Sequence, residues 1–340
     1  MNNCIADLNQ IETLTIELYS GKKNESFIQL SNSISNKYIN TLDSFIELFL
    51  YFEKTNNQTT LFWIIDLLCK IIETNYINNY NNNMKETFRN LLKTALVSNI
   101  NTFKSYNAIA NKFSYLVIIW LKYEYPENWG QIFTEFKDLA LNNNKNNEEL
   151  NIKVDMFVNI LLIFDDELIK YRHTFDNFLD SRSTIIKDSL REDKQLVDII
   201  SFLTNILSSN INNNNFLYTD KIVFKSFKAL ANLIDWNNLN LFSDLIPVTQ
   251  KFITSSSNIK FIKAALEIYQ AFCVKGMLIN EKIEVLQTLK VFDLLENYLI
   301  NIKATMENDL IYVLSDIVQN LGIYFIEGLN MSLKEERKIL

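Results

Sequence analysis

The chain has 340 residues and a mass of 39.9 kDa, with only 5 Gly and 2 Pro. Average usage would put roughly 12% of residues in those two types, so a turn-rich β-sandwich or barrel and the glycine-rich phosphate loops of nucleotide-binding α/β domains are excluded. Apolar residues reach 48% and net charge is −7, which supports a large core and excludes a simple nucleic-acid coat held by Lys and Arg on phosphates.

The opening segment, MNNCIADLNQIETL, lacks a basic stretch and carries Asp7 and Glu12, so it does not read as a signal peptide. Helical spacing of apolar residues begins clearly at Leu61, Ile64, Ile65, Leu68, Ile71 and Ile72. Asp66 and Lys70 interrupt this run, and no stretch attains the ~18 apolar residues of a membrane span. No membrane insertion is expected. The same i, i+3, i+4, i+7 pattern returns at Phe113, Leu116, Val117, Trp120 and Leu121, then at Val154, Phe157, Val158, Leu161 and Leu162. It continues through Leu196, Ile199, Ile200, Leu203, Ile206 and Leu207, and closes with Leu310, Val313, Leu314, Ile317, Leu321, Tyr324 and Phe325. No segment alternates with a period of two. The prediction is an all-α chain.

Asparagine-rich runs at 78–83, 142–147 and 210–215 separate the stripes and read as loops, because Asn competes for backbone partners and ends helices readily. Counting stripes gives about fifteen helices, or about seven pairs, near the ~40–47-residue period of HEAT-type repeats. Pairs that stack on their neighbours suit so many helices better than one common core. The expected architecture is an α-solenoid of HEAT-like helical repeats (an α-α superhelix). Residues 1–55 form an N-terminal helical segment, 56–142 a first set of repeats and 148–340 further repeats of one continuous solenoid.

Boundary chemistry is readable at two places. Tyr125-Pro126 should stop a helix near Glu124, with Asn128 as N-cap of the next. Gly276 should end the helix at 258–275, with Lys275 in its last turn.

Chemistry-bearing residues are sparse. His173 is the single histidine, so Ser-His-Asp and multi-imidazole metal sites lack their parts. Cys4, Cys69 and Cys273 lie far apart, with no CxxC or zinc spacing, which fits a reducing compartment. Asp165, Asp166 and Glu167 are consecutive and cannot face one substrate together, so they read as a solvated helix end. The four tryptophans, Trp63, Trp120, Trp129 and Trp236, read as core. No enzyme, cofactor or metal is expected. The densest charged stretch is SRSTIIKDSLREDK at 181–194. On a continuous helix Lys187, Arg191 and Lys194 would share one face beside an acidic stripe of Asp188 and Glu192. That face is either solvated, with intrahelical ion pairs, or a basic ridge presented to phosphates or an acidic partner. Arg182, Lys187, Arg191, Glu192 and Lys194 are the candidate partner-binding residues.

Two sets of segments carry a resemblance. NKFSYLVIIWLKYEYPENWGQIFTEF at 111–136 has an Asn-Lys opening, an apolar helix and Pro-x-x-Trp. It resembles the N-terminal exportin-type domain of the importin-β superfamily of nuclear transport receptors, with Tyr125 where a Trp is common before the proline. VDMFVNILLIFDDELIKYR (154–172), STIIKDSLRE (183–192), LIDWNNLNL (233–241) and VKGM (274–277) follow in the order and spacing of the exportin-T family of tRNA export receptors. Ile169, Leu190 and Val274 stand where that family has Val, Met and Asn.

The resemblance implies a receptor that binds tRNA and Ran in its GTP form in the nucleus and releases both in the cytoplasm. It also implies passage through the pore on nucleoporins and a chain matching only the N-terminal arch of such receptors. Alternative readings are an importin-β-type transporter with protein cargo, or a HEAT scaffold without transport activity.

Overall fold

A computed structural model describes residues 2–20, 25–142, 144–170, 177–212, 217–256, 258–293, 296, 310–323 and 326. Among them the chain is helical with no strand. The helices are α1 (Asn2–Tyr19), α2 (Glu25–Asn40), α3 (Ser44–Lys54), α4 (Gln58–Asn79), α5 (Asn82–Ser98), α6 (Ile100–Ser105), α7 (Asn107–Glu124) and α8 (Ile132–Leu141). They continue with α9 (Asn147–Phe164), α10 (Asn177–Glu192), α11 (Lys194–Asn212), α12 (Asp220–Trp236), α13 (Leu245–Ser255), α14 (Ile259–Val274) and α15 (Ile279–Thr288). A π-helical turn, Asp165–Lys170, extends α9, a 3-10 turn, Leu239–Phe242, precedes α13, and residues 310–323 are helical.

The predicted stripes are the packed faces. Leu61, Ile64, Ile65, Leu68, Ile71 and Ile72 of α4, and Phe113, Leu116, Val117, Trp120 and Leu121 of α7, are all buried. So are the stripes of α9 and α11 and, from the last one, Leu310, Val313, Leu314, Ile317 and Leu321; the side chains of Tyr324 and Phe325 lie outside the described residues. Two compact units divide the chain, Met1–Leu190 and Arg191–Leu340. In the first, α4, α7 and α9 lie side by side in one row and α3, α5 and α8 in a second. Between the rows α3 packs on α4, α6 on α7 and α8 on α9, while α1 and α2 cover α4. In the second unit α12 lies beside α14 and α11 beside α13, with α11 against α12 and α13 against α14. Most of these helices meet a partner in the other row and the next helix of their own row rather than a shared centre. That is the two-row packing of HEAT-like solenoid repeats.

The asparagine runs do more than end helices. Asn81 accepts from the Met84 amide to cap α5, and Asn146 accepts from the Glu149 amide to cap α9. Asn57 and Asn258 cap α4 and α14 in the same way. Asn144 serves the other end, donating to the carbonyls of Ala140 and Leu141 at 3.0 and 2.9 Å. The stretch at 142–147 is thus a hairpin connection between α8 and α9, and the division of the chain falls later, after Leu190. Of the run at 210–215, residues 213–215 lie outside the described residues; Asn210 clamps the backbone of Tyr218 through both ends of its amide.

Two boundary expectations need correction. α7 stops at Glu124 as the Tyr125-Pro126 pair requires, but α8 begins only at Ile132. Asn128 is no cap. Its amide bonds the Glu124 carbonyl at 2.8 Å and its side chain donates to the Tyr76 hydroxyl at 3.3 Å. α14 ends at Val274, and Gly276 does not adopt the left-handed geometry of a glycine stop. The Lys282 side chain covers that helix end instead, as described below.

Cys69 and Cys273 are free and buried, and burial pushes their thiols up to about 12 and about 11. All four tryptophans are buried as expected. Trp120 is stacked on Phe88 at 4.1 Å and meets Tyr76 edge-on at 5.3 Å, but its indole N–H finds no acceptor. Trp120→Ala is expected to lower unfolding free energy by about 3–5 kcal/mol. Trp120→Phe keeps most of the stack and deletes the unsatisfied donor, so it should cost less than about 1.5 kcal/mol. Urea titration of both variants checks this, and equal losses would contradict it.

Candidate partner-binding site

The structure separates the five predicted residues. α10 stops at Glu192 and Lys194 opens α11, so Lys187, Arg191 and Lys194 do not lie along one continuous helix face. Arg182 donates from Nε to the Lys122 carbonyl at 2.7 Å, from its terminal nitrogens to both Glu127 oxygens at 2.6 Å, and to the Tyr125 carbonyl. Its guanidinium holds the Glu127 carboxyl below the usual carboxylate range. Lys187 donates to the Ile169 carbonyl at 3.3 Å, at the end of the π-helical turn. Arg191 donates to the Trp236 carbonyl at 2.5 Å, with its guanidinium 5.6 Å from the centre of the Trp236 ring. Glu192 and Lys194 are exposed. Three of the four cations therefore grip backbone carbonyls of neighbouring segments.

The acidic run behaves differently from its sequence reading. Asp165 is buried and paired with Lys170 at 2.9 Å, whereas Asp166 and Glu167 are exposed. The π-helical turn brings residues 165 and 170 together, which a solvated helix end would not require. His173 lies outside the described residues.

Sequence reasoning missed a denser cluster, at the end of α7. The Glu124 side chain is fully buried, which demands compensation of its charge. Arg89 of α5 supplies it, with Nε 2.6 Å from one carboxylate oxygen and a terminal nitrogen on the same atom. The Tyr76 hydroxyl of α4 donates to the other oxygen. The Glu124 carbonyl accepts from the amides of Asn128 and Trp129 at 2.8 and 3.0 Å. Trp129 in turn donates from its indole to Glu135 of α8 at 3.0 Å, and Lys93 of α5 bonds Glu135 at 3.0 Å. The opening Asn-Lys pair acts at the other end of α7. Lys112 pairs with Asp66 of α4 at 3.0 Å, and Asn111 accepts from Asn159 of α9 at 3.0 Å. Burial raises the Asp66 carboxyl, but hydrogen bonds from Lys70 and Lys112 outweigh it and leave its pKa low. The segment 111–136 is thus a clasp joining α4, α5, α7, α8 and α9. A glutamate set among aromatics and apolar residues, in LKYEYP, was the available signal.

Residues 106–269 match the family model described as exportin 1-like protein. This stretch is exportin-like. The matched stretch takes in the whole of segment 111–136. No curated protein matches the chain. A crystal structure described only as an engineered protein aligns with 76% of this chain and 97% of its own, at 13% identity and a TM-score of 0.31.

Within and just beyond the exportin-like stretch, cations also finish the helices of the second unit. Lys275 donates to the Asp235 carbonyl at 2.9 Å, beside the Arg191 bond to Trp236, so two side chains serve the C-terminal end of α12. Lys282 is fully buried and donates to the carbonyls of Phe272 and Lys275 at 2.9 and 2.5 Å, finishing α14. A cleft of about 930 Å³ opens at these helix ends, with Trp236, Asn237, Lys275, Met277, Glu281 and Glu284 on its wall. Among the described residues no cluster of His, Cys, Asp and Glu could hold a metal ion, and no helix is long and apolar enough to cross a membrane.

Two tests follow from these arrangements. Arg89→Met leaves Glu124 charged and buried, so unfolding free energy should fall by about 3–5 kcal/mol. Adding Glu124→Leu should recover a substantial part of the loss in urea titration, and a double variant no better than the single would disprove the ion-pair account. Lys282 gives a pH signature. Burial pushes its ammonium down to about 8, while the unfolded chain keeps the ordinary value of 10.5. Between those values the unfolded state binds the extra proton, so stability rises with pH across that window. The wild-type chain should gain on Lys282→Met as pH climbs from about 8 to about 10, and a constant gap would contradict the assignment.

Proposed function

We propose that this protein is a nuclear export receptor that binds Ran in its GTP form and carries tRNA, shuttling between nucleus and cytoplasm on nucleoporins. The observation that carries the reading is the exportin-like stretch at 106–269, set on helices stacked in two rows. The resemblance of 154–172, 183–192, 233–241 and 274–277 to the tRNA export receptors supports the cargo class. A stack held by nearest-neighbour contacts bends by small rotations that accumulate. A bound GTPase can then favour the curvature that also grips cargo, and by linkage the cargo strengthens the GTPase in return.

Protein cargo is the second reading, favoured by the net charge of −7 and by Arg182, Lys187 and Arg191 being engaged with backbone carbonyls. Such a surface suits a basic partner better than phosphates. Pull-down with Ran in its GTP and GDP forms separates transporters from scaffolds, with retention expected for the GTP form alone. Nucleotide-insensitive binding, or none, would overturn the receptor reading. Titrating tRNA with an intact acceptor stem against an unrelated RNA then decides the cargo. tRNA affinity should rise by about 5–150-fold with GTP-loaded Ran present, and an unchanged affinity would remove the coupling.

A further inference from the structure

Two adjacent residues on the wall of the cleft at the end of α12 carry buried polar atoms with no hydrogen-bond partner among the described residues. Trp236 is 9% exposed, and its indole Nε1 has no acceptor. Asn237, the C-cap of α12, is 2% exposed; its Nδ2 donates to the Leu233 carbonyl at 2.8 Å, and its Oδ1 has no donor. A buried donor or acceptor left alone costs free energy until a partner reaches it, and most such groups in folded proteins are paired. Leu241, Ile246, Met277 and Val285, each half-buried, reach the same cleft from the 3-10 turn, α13, the segment after α14 and α15. Glu281 and Glu284 stand at i and i+3 on α15, both exposed, and among the described residues neither has an ion-pair partner. The neighbouring cations are already committed. Arg191 and Lys275 are turned onto the carbonyls of Trp236 and Asp235. Lys282, between the two glutamates in sequence, is buried on the carbonyls of Phe272 and Lys275.

We propose that this cleft binds a short peptide segment in which aliphatic residues flank a lysine or arginine. A peptide unit offers one C=O acceptor and one N–H donor, the complement of the Trp236 donor and the Asn237 acceptor beside it. Both atoms are closed to water, so a small side-chain movement at the wall accompanies binding, as is common at interfaces. The half-buried aliphatic side chains supply the apolar surface of such a site, and Met277 adapts to the shape of its occupant. Glu281 and Glu284 give charge complementarity for a cation on the α15 side, away from Arg191 and Lys275 at the end of α12. The same carboxylates repel phosphates, which disfavours nucleic acids and anionic lipid headgroups as occupants. At about 930 Å³ the cleft holds a few residues. The proposal goes beyond the tRNA and Ran reading, and its test uses neither.

The test uses the full chain and a fluorescent probe peptide, acetyl-Leu-Leu-Lys-Leu-Leu-Lys-amide, read by anisotropy across a salt series. Three control peptides carry Glu in place of Lys, Ser in place of Leu, or a methyl group on every backbone nitrogen. Each control should bind about tenfold more weakly than the probe, a loss of about 1.4 kcal/mol. Glu281→Gln with Glu284→Gln should weaken the probe by about three- to tenfold at low salt and flatten its salt dependence. Met277→Gln should also weaken it, with the salt dependence of the wild type. Glu73→Gln with Glu86→Gln makes the same charge change on exposed residues of the first unit and should leave binding as it was. Circular dichroism and melting temperature verify that all three variants fold. A wild-type chain that does not bind the probe would overturn the site. So would binding untouched by the α15 pair, or lowered equally by the first-unit pair. Equal affinity for the N-methylated peptide would overturn the pairing with the peptide backbone and leave a greasy amine as the occupant.

Discussion

A carboxylate removed from water must be neutralised where it stands, and much of the first unit is organised around that demand at Glu124. Arg89 reaches it from α5 and Tyr76 from α4, while its own backbone carbonyl holds the turn through Asn128 and Trp129. Trp129 and Glu135 pass the linkage on to α8. Nearest-neighbour stacking of amphipathic hairpins would tolerate sliding, because apolar contacts have no direction. Hydrogen bonds to a buried charge do have direction, and they fix the relative height of the two rows.

The scarcity of glycine has a structural counterpart. Helices usually end on a glycine in left-handed geometry, which satisfies the last carbonyls. With few glycines available, the chain covers several helix ends with side chains. Arg191 and Lys275 finish α12, Lys282 finishes α14, and Asn144 finishes α8. Arg182 and Lys187 do comparable work at the ends of α7 and of the π-helical turn. These cations couple one hairpin to the next, so a charge change there disturbs packing as well as electrostatics.

Fold class was legible because amphipathic spacing is a local property, and the stripes of α4, α7 and α11 are buried as read. Boundaries were less so. Asn128 and Gly276 carry the right residue types for a cap and a stop, but Tyr76 of α4 takes the Asn128 side chain and the Lys282 ammonium finishes α14 in place of a glycine. The charged stretch at 181–194 shows the same limit. Periodicity shows which residues share a face, whereas the carbonyls that engage Arg182, Lys187 and Arg191 lie 18 to 60 residues away.

The two sequestered thiols divide neatly between the compact units, Cys69 in the first and Cys273 in the second. Neither can react while its surroundings stay closed, since only an exposed thiolate is nucleophilic. Each unit therefore contains its own chemical clock for local opening. Site-resolved alkylation would time the two halves separately in a single sample, and a ligand that stiffens one half would slow that half's clock alone.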